Sequence, residues 1–184
     1  MTKTSTVRED FVKPIVVLTL ICLVCAALLA YLNSVTRPII DATEAAIAEA
    51  ARSEVLPDSG GFTLLDVTLP EDSVVTEVYK ADNGSGYVFM ITGNGYGGKG
   101  TMKLITSVDP DGNIIATKTL SHAETAGMGS KTADAPWRDQ FTGITEDTLD
   151  TVDTITGATI SSNHYLNSMR SVFEAFDAVK EAGL

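Results

Sequence analysis

The sequence predicts an α+β protein that is attached to a membrane by one N-terminal helix. Three observations support this prediction: an uncharged apolar run near the N-terminus, a series of short β-rich runs separated by turn residues, and an apolar helical stripe at the C-terminus. A length of 184 residues suffices for one domain beside the anchor.

The anchor is predicted at residues 14–36, where no charged residue occurs. At ~1.5 Å per residue this run can cross a hydrocarbon core of ~30 Å. A cleaved signal peptide is the alternative, but its apolar region has only ~7 to 15 residues and ends in an A-x-A-like site, which this run lacks. Residues 1–13 carry Lys3, Arg8 and Lys13, whereas Arg37 alone follows the run closely. The positive-inside rule therefore places residues 1–13 in the cytoplasm. The part of the chain after the anchor then lies on the periplasmic or outer side of the cell membrane.

The two cysteines, Cys22 and Cys25, lie inside the apolar run in a C-x-x-C spacing. In a soluble protein that spacing suggests redox or metal chemistry. In a membrane helix, we expect the two cysteines to serve simply as small apolar side chains. The remainder of the chain has no cysteine, so we predict neither a disulfide nor a thiolate metal site there.

Charge is distributed unevenly along the chain. The net charge of -11 divides into +2 for residues 1–40 and -13 for residues 41–184. Nucleic-acid binding requires clustered Lys and Arg residues, so this acidity argues against it.

After the anchor, residues 37–57 are Ala-rich and predict a stalk helix that begins at Asp41 or Thr43 and is ended by Pro57. Residues 58–184 form the predicted extracytoplasmic domain. Its first half contains the runs TLLDVTL, VVTEVYKA, GYVFMIT, MKLITSV and IIATKTL, which predict a meander of five antiparallel strands. A closing helix is predicted over residues 163–184, because apolar residues recur there at steps of three and four: Leu166, Met169, Phe173, Phe176 and Val179.

Three clusters in the domain could carry chemistry. The first, the glycine cluster at residues 93–100 (GNGYGGKG), satisfies G-x-G-x-x-G and nearly satisfies a P-loop. Both phosphate-binding motifs must open a helix, but a predicted strand follows, and Gly100 stands where a P-loop needs Ser or Thr. The sequence therefore predicts a glycine-rich strand connection whose backbone can approach a ligand closely, with a plain turn as the alternative.

The second, the middle cluster at residues 121–131 (SHAETAGMGSK), contains His122 and Glu124. On a strand these two side chains share a face, which suggests a metal or acid-base pair. The chain has only one other histidine, His164, so we predict no metal site. A hydrolase that uses His122 with a nearby hydroxyl remains an alternative, although no nucleophile elbow is present.

The third, the hydroxyl cluster at residues 153–162 (DTITGATISS), lies just before the closing helix. One interpretation is a helix N-cap by Ser or Thr. The other is a phosphate site at a helix N-terminus, with a hydroxyl available for esterification.

Together these clusters resemble the G subunit of the Rnf electron-transport complex and, more distantly, the C subunit of sodium-pumping NADH:quinone reductase. Both are single-span membrane proteins with an FMN-binding domain. The most specific similarity is the flavinylation pattern D-x-x-[ST]-G-A-[ST]-x-[ST], in which the second hydroxyl residue carries FMN. This chain shows Ala126 and Met128 where the family usually has Pro and Leu. The residues of this chain that match the flavinylation pattern are Asp153, Thr156, Gly157, Ala158, Thr159 and Ser161.

The resemblance implies a covalent FMN, attached by a phosphoester to Thr159 by a separate flavin transferase. It implies that residues 96–98 and 124–128 line the isoalloxazine, that Thr125 hydrogen-bonds its polar edge, and that Lys131, in preference to Lys99, stabilises negative charge. No catalytic residue and no metal ligand is expected. The implied binding residues are Thr159, Thr156, Gly157, Ala158, Ser161, Tyr96, Gly97, Gly98, Glu124, Thr125, Gly127, Met128 and Lys131.

The implied function is electron transfer in a membrane complex that couples electron flow between reduced ferredoxin and NAD to sodium or proton translocation. The expected partners are the other subunits of that complex. The alternative from another class is a non-redox, membrane-tethered binding or scaffold module whose glycines serve turns alone.

Overall fold

The computed structural model describes residues 4–70 and 72–183. Lys3, part of the predicted cytoplasmic segment, and Leu184, the predicted end of the closing helix, lie outside the described residues. The chain divides into two compact units, residues 1–46 and residues 47–184.

The first unit is helical. Helix α1 runs from Thr4 to Val55 and, within the described part of the chain, is the helix long and apolar enough to cross a membrane. Its large apolar side chains between Phe11 and Ile40 are exposed, as expected for side chains that face lipid.

The predicted start of a separate stalk helix at Asp41 or Thr43 is wrong, because α1 continues through this region without a break. Neither residue caps a helix. Asp41 pairs with Arg37 one turn earlier, with 3.1 Å between its Oδ1 and the Arg37 Nε, and the Thr43 hydroxyl donates to the Ile39 carbonyl at 2.8 Å. Both side chains therefore act as interior helix residues, and the Ala-rich sequence carries the helix on to Val55.

The second unit contains the predicted five-stranded antiparallel meander, in the order β1-β2-β3-β4-β5. The prediction is confirmed, although β1 is shorter than its apolar run and β3, β4 and β5 are longer than theirs. The glycine cluster forms the hairpin between β3 and β4, where Gly95 pairs with Gly98 across a two-residue turn. The strands are Phe62–Leu65, Val75–Ala81, Tyr87–Gly95, Gly98–Val108 and Ile114–His122.

Helices cover both faces of the sheet. Successive strand residues point to opposite faces, so one strand contributes side chains to a core on each side. In β3, Phe89 and Ile91 join the larger core beneath the closing helix, whereas Val88 joins a smaller core with Val55 and Leu56 at the end of α1. The Ser107 hydroxyl of β4 donates to the Val55 carbonyl at 2.6 Å, which satisfies one of the free carbonyls at this helix end.

The chain between β5 and the closing helix consists of short helices that cover the edge of the larger core. Helix α2 spans Ala135–Arg138, and 3₁₀ turns span Gly129–Ala133, Asp139–Phe141 and Glu146–Thr151. The closing helix, α3, runs from Thr159 to Glu181 and so begins four residues earlier than its apolar stripe predicts. It packs closely on β3, since a Cβ on Gly93 would lie 2.5 Å from the Ser168 Oγ.

A buried hydroxyl chain joins α3 to the sheet. The Thr117 Oγ1 lies 2.9 Å from both the Thr106 Oγ1 and the Tyr165 hydroxyl oxygen. Burial raises the pKa of Tyr165 to about 12, which outweighs the opposing hydrogen bond to Thr117. The folded protein therefore holds this phenol in its neutral form.

We predict an alkaline loss of stability that depends on Tyr165. The unfolded chain loses the phenol proton near pH 10, but the folded chain keeps it until about pH 12. The contribution of Tyr165 to the free energy of unfolding is therefore complete below pH 10 and falls by roughly 3 kcal/mol between pH 10 and pH 12. Urea unfolding of the full-length chain in detergent at both pH values, with Tyr165→Phe as the comparison, measures this loss. A stability difference between the two proteins that does not change across this window would contradict it.

Candidate functional site

The three clusters, far apart in the sequence, meet at one cavity of the second unit. The cavity has a volume of about 340 Å³, within the range of small-molecule sites. The glycine cluster contributes the hairpin tip, the middle cluster follows the end of β5, and the hydroxyl cluster forms the start of α3. The lining residues are Tyr96, Glu124, Thr125, Met128, Gly129, Gly157, Ala158, Thr159, Ile160 and Ser161.

Three large apolar side chains of the cavity lining are exposed to solvent. Tyr96 is 66% exposed, Met128 52% and Ile160 55%. Each comes from a different cluster, so no single segment of the chain provides this apolar lining. A flat apolar ligand in the cavity would cover these side chains and remove them from water.

Glu124 holds the three clusters together. Its Oε1 accepts the backbone N–H of Tyr96 at 2.8 Å, and its Oε2 accepts the hydroxyl of Ser161 at 2.5 Å. The first bond reaches the hairpin tip and the second reaches the first turn of α3. Hydrogen bonds to a carboxylate are the stronger kind, so this side chain acts as a clamp between the two elements.

Two glycines make room for this carboxylate. A Cβ on Gly95 would overlap the Glu124 Oε1, and a Cβ on Gly129 would overlap the Oε2 and lie 2.6 Å from the Ser161 Oγ. Neither glycine has the positive φ that would by itself require glycine. A side chain at either position would therefore displace the Glu124 carboxylate from its present place.

A tight turn sets the start of α3. The Ala158 N–H donates to the Ile155 carbonyl at 2.9 Å, and Gly157 takes φ of 83°, the conformation that the third position of a type II turn requires. The Ser162 Oγ accepts the Ile155 N–H at 3.0 Å and donates to the Ala158 carbonyl at 3.1 Å, which fixes the turn to the helix.

The interpretation of the hydroxyl cluster as a Ser or Thr N-cap is wrong. Ala158 occupies the N-cap of α3 and provides no side-chain hydrogen bond. The N-cap residue therefore offers no acceptor to the first N–H groups of α3, at the position where Thr159 lines the cavity.

The hydroxyls of the third cluster differ in accessibility. Thr159 is exposed and lines the cavity. Ser161 and Ser162 are buried, with 3% and 0% exposed, and both hydroxyls are engaged within the protein. Thr156 is exposed but does not belong to the lining. Within this cluster, Thr159 is thus the hydroxyl residue that is both exposed and part of the lining.

Trp137 supports the loop before this turn. Its indole packs edge-on against Phe141 and Tyr165 in the core, and its Nε1 donates to the Asp153 carbonyl at 2.7 Å. The Asp153 N–H in turn donates to the Gln140 side-chain oxygen at 3.2 Å. Trp137 is therefore a core residue that positions the hydroxyl cluster, and it does not line the cavity.

Eight of the predicted binding residues line the cavity, and five do not. Gly97, Gly98, Gly127, Thr156 and Lys131 lie outside the lining, as does Lys99. The sequence prediction missed Gly129 and Ile160, although both stand within or beside the motifs that indicated their neighbours. The eight predicted residues that line the cavity are Tyr96, Glu124, Thr125, Met128, Gly157, Ala158, Thr159 and Ser161.

His122 does not form the pair that its spacing suggested. Strand β5 ends at His122, so Glu124 lies beyond the strand, and the His122 Nδ1 accepts the Glu124 backbone N–H at 3.3 Å. Within residues 4–70 and 72–183, no three His, Cys, Asp or Glu side chains come together as metal ligands.

The sequence profile of the FMN-binding domain matches residues 95–174, a region that contains every lining residue of the cavity. The chain is 30% identical to the G subunit of the Na⁺-translocating ferredoxin:NAD⁺ oxidoreductase complex of Acetobacterium woodii, across 79% of this chain and 82% of that relative. The chain belongs to the family of G subunits of ion-translocating oxidoreductase complexes.

Two further G subunits extend the similarity over nearly the whole chain. The G subunit of the ion-translocating oxidoreductase complex of Methanosarcina acetivorans is 28% identical over 92% of this chain and 96% of its own length. The G subunit of the proton-translocating ferredoxin:NAD⁺ oxidoreductase complex of Clostridium ljungdahlii is 25% identical over 85% of this chain and 86% of its own length. The similarity to these relatives therefore includes the N-terminal helix as well as the domain.

We predict that Gly129→Ala destabilises the domain, because the new methyl group displaces the Glu124 carboxylate. Overpacking of this kind lowers the free energy of unfolding by ~1–3 kcal/mol. Gly97→Ala is the matched control, since its Cβ would meet the Thr101 Cγ2 at an ordinary 3.4 Å. Urea unfolding of both variants measures the effect. Equal stability of Gly129→Ala and the unaltered chain would show that the close fit around Glu124 carries no energetic weight.

Proposed function

We propose that this chain is the electron-transfer subunit of a membrane complex that couples electron flow between reduced ferredoxin and NAD to sodium or proton translocation. The proposal includes an FMN attached by a phosphoester to Thr159. The observation that carries it is the position of Thr159, an exposed residue that lies at the start of α3, without a side-chain N-cap, and lines the cavity of the FMN-binding region. The relatives named above support the choice of complex.

The cavity suits both halves of FMN. The exposed apolar side chains of Tyr96, Met128 and Ile160 suit the flat rings of the isoalloxazine and its apolar dimethylbenzene end. The free N–H groups at the start of α3, together with the helix dipole, suit the phosphate. A flavin in this position would supply the redox chemistry, while the chain supplies attachment, orientation and electrostatics.

The flavinylation pattern favours Thr159 as the attachment site, and accessibility separates it from the serines that follow. In the proposed reaction, catalysed by a separate flavin transferase, the Thr159 Oγ1 forms a bond to the FMN phosphorus of FAD. The bond between that phosphorus and the bridging oxygen breaks, AMP leaves, and the hydroxyl proton passes to a base of the transferase. Ser161 and Ser162 do not compete, because Glu124 and the α3 turn hold their hydroxyls inside the protein.

The remaining predicted contacts are part of the same proposal. Thr125 lies in the lining, where its hydroxyl and backbone can bind the polar edge of the ring. Lys131 is exposed in the turn that follows Met128, and its proposed role is attraction of the flavin's negative charge from the rim.

We propose that the N-terminus lies in the cytoplasm and that the flavin domain lies outside it. The basic residues before the apolar run support this orientation. The domain then meets the other subunits of the complex, and the transferase, on the outer side of the membrane. Covalent attachment suits that location, because a tethered cofactor cannot diffuse away.

We expect Thr159→Ala to abolish covalent flavin. The full chain is co-expressed with a competent flavin transferase, and intact-protein mass and fluorescence after denaturation are measured. The unaltered chain gains the mass of one FMN less one water, and Thr159→Ala gains nothing. Thr154→Ala is the matched control, since Thr154 is an exposed residue of the same cluster outside the cavity lining, and it keeps the flavin.

Covalent flavin in Thr159→Ala would refute the attachment site. An unaltered chain that stays colourless beside an active transferase would favour the non-redox scaffold module. Ester hydrolysis that disappears in His122→Ala would favour the hydrolase alternative.

The orientation is tested with a single new cysteine. Asp147 is exposed on the turn at Glu146–Thr151, away from the cavity lining. In intact cells or spheroplasts, Asp147→Cys is expected to react with a membrane-impermeant maleimide, while the unaltered chain, with Cys22 and Cys25 in the span, serves as the background. Labelling that appears only after the membrane is permeabilised would place the domain in the cytoplasm.

A further inference from the structure

Glu124 does not stand free in the cavity as a ligand for a bound molecule. Both carboxylate oxygens are engaged, one by the Tyr96 N–H and the other by the Ser161 hydroxyl. Gly95 and Gly129 enclose the same two oxygens. The resemblance implied a residue that lines the flavin, but these contacts describe a residue that acts on the flavin through its neighbours.

The contact with Tyr96 controls the tip of the β3–β4 hairpin. The turn at Tyr96 and Gly97 follows the last residue of β3, and Tyr96 is 66% exposed. Its N–H would face water without the carboxylate. The bond to Glu124 therefore holds the hairpin tip, and with it the Tyr96 ring, at the edge of the cavity.

The contact with Ser161 controls the start of α3. The Ser161 side chain is buried, and its hydroxyl donates to Glu124. A buried hydroxyl without any hydrogen-bond partner is unfavourable, so removal of the whole Glu124 head group forces this turn of the helix to rearrange. Thr159 lies two residues earlier, and its direction toward the cavity depends on the same turn.

The carboxylate also sets the charge of the cavity. Among the described residues that form the lining, Glu124 carries the one charged side chain, while Lys99 and Lys131 lie outside it. A negative charge beside the isoalloxazine opposes the addition of electrons, because reduction adds negative charge. The charge of Glu124, taken by itself, therefore favours the oxidised flavin.

We propose that Glu124 is a positioning residue that holds the hairpin tip and the first turn of α3 around the flavin, and that its charge lowers the flavin midpoint potential. The effect of the charge on the midpoint potential is the electrostatic half of this inference, and it rests on the proposed function. The positioning of the hairpin tip and of α3 is the positional half, which concerns the protein alone and can be tested without flavin.

Two substitutions separate position from charge. In Glu124→Gln, the amide oxygen accepts the Tyr96 N–H and the amide nitrogen donates to the Ser161 Oγ, so the clamp persists without its charge. Glu124→Ala removes both contacts and the charge. Glu146→Gln is the matched control, because Glu146 is an exposed carboxylate outside the lining.

The positional half is measured by amide hydrogen exchange at Tyr96 in full-length Thr159→Ala, which carries no flavin in the proposal. Adding Glu124→Ala is expected to speed exchange at Tyr96 about tenfold or more, as one hydrogen bond is lost. Adding Glu124→Gln or Glu146→Gln leaves the rate close to that of the parent. Unchanged exchange in Glu124→Ala, or fast exchange in Glu124→Gln, would overturn the positional half.

The electrostatic half is measured by redox titration of the flavin-loaded full chain. Glu124→Gln is expected to take up covalent flavin and to shift its midpoint potential to a more positive value, while Glu146→Gln leaves the potential unchanged. An unchanged or more negative potential in Glu124→Gln, or failure of this variant to take up flavin, would overturn the inference. Absence of covalent flavin in the unaltered chain would instead refute the proposed function, and the exchange experiment would still decide the role of Glu124.

Discussion

The carboxylate of Glu124 joins parts of the chain that lie 28 and 37 residues away from it, at Tyr96 and Ser161. The sheet and α3 bring the three clusters near one another, and this side chain fixes their relative position. Gly95 and Gly129 are explained by the space that the carboxylate needs. This one polar side chain therefore lies at the meeting point of a hairpin, a strand end and a helix start, and it contacts two of the elements that line the cavity.

Around this contact the protein separates three tasks. The exposed apolar side chains of Tyr96, Met128 and Ile160 offer a surface that a flat ligand can cover. The uncapped start of α3 offers free N–H groups to an anion. The buried serines are occupied by structural hydrogen bonds, which leaves Thr159 as the exposed hydroxyl residue of its cluster in the lining. Accessibility then separates Thr159 from the two serines, because the chemistry of serine and threonine hydroxyls is similar.

Local patterns predicted the elements of this fold well. Alternating β-rich runs and turn residues predicted the meander, and the spacing from Leu166 to Val179 predicted α3, because both signals arise from neighbours in the sequence. The start of α3 was predicted too late, since the turn at Gly157 and the bonds of Ser162 decide it. The partners of Glu124 could not be predicted, because contacts across 28 and 37 residues leave no periodic signal. Resemblance to a family indicated which clusters belong together, but the role of Glu124 as a clamp required the structure.

A crystal structure of the flavin-loaded chain would show whether Thr159 carries the flavin in a cavity whose walls Glu124 holds in place. We expect phosphorus bonded to the Thr159 Oγ1 at the start of α3, an isoalloxazine against Tyr96, Met128 and Ile160, and a Glu124 carboxylate still bound to the Tyr96 N–H and the Ser161 hydroxyl. A flavin bonded to another residue, or a Glu124 side chain released from both partners to contact the ring, would contradict it.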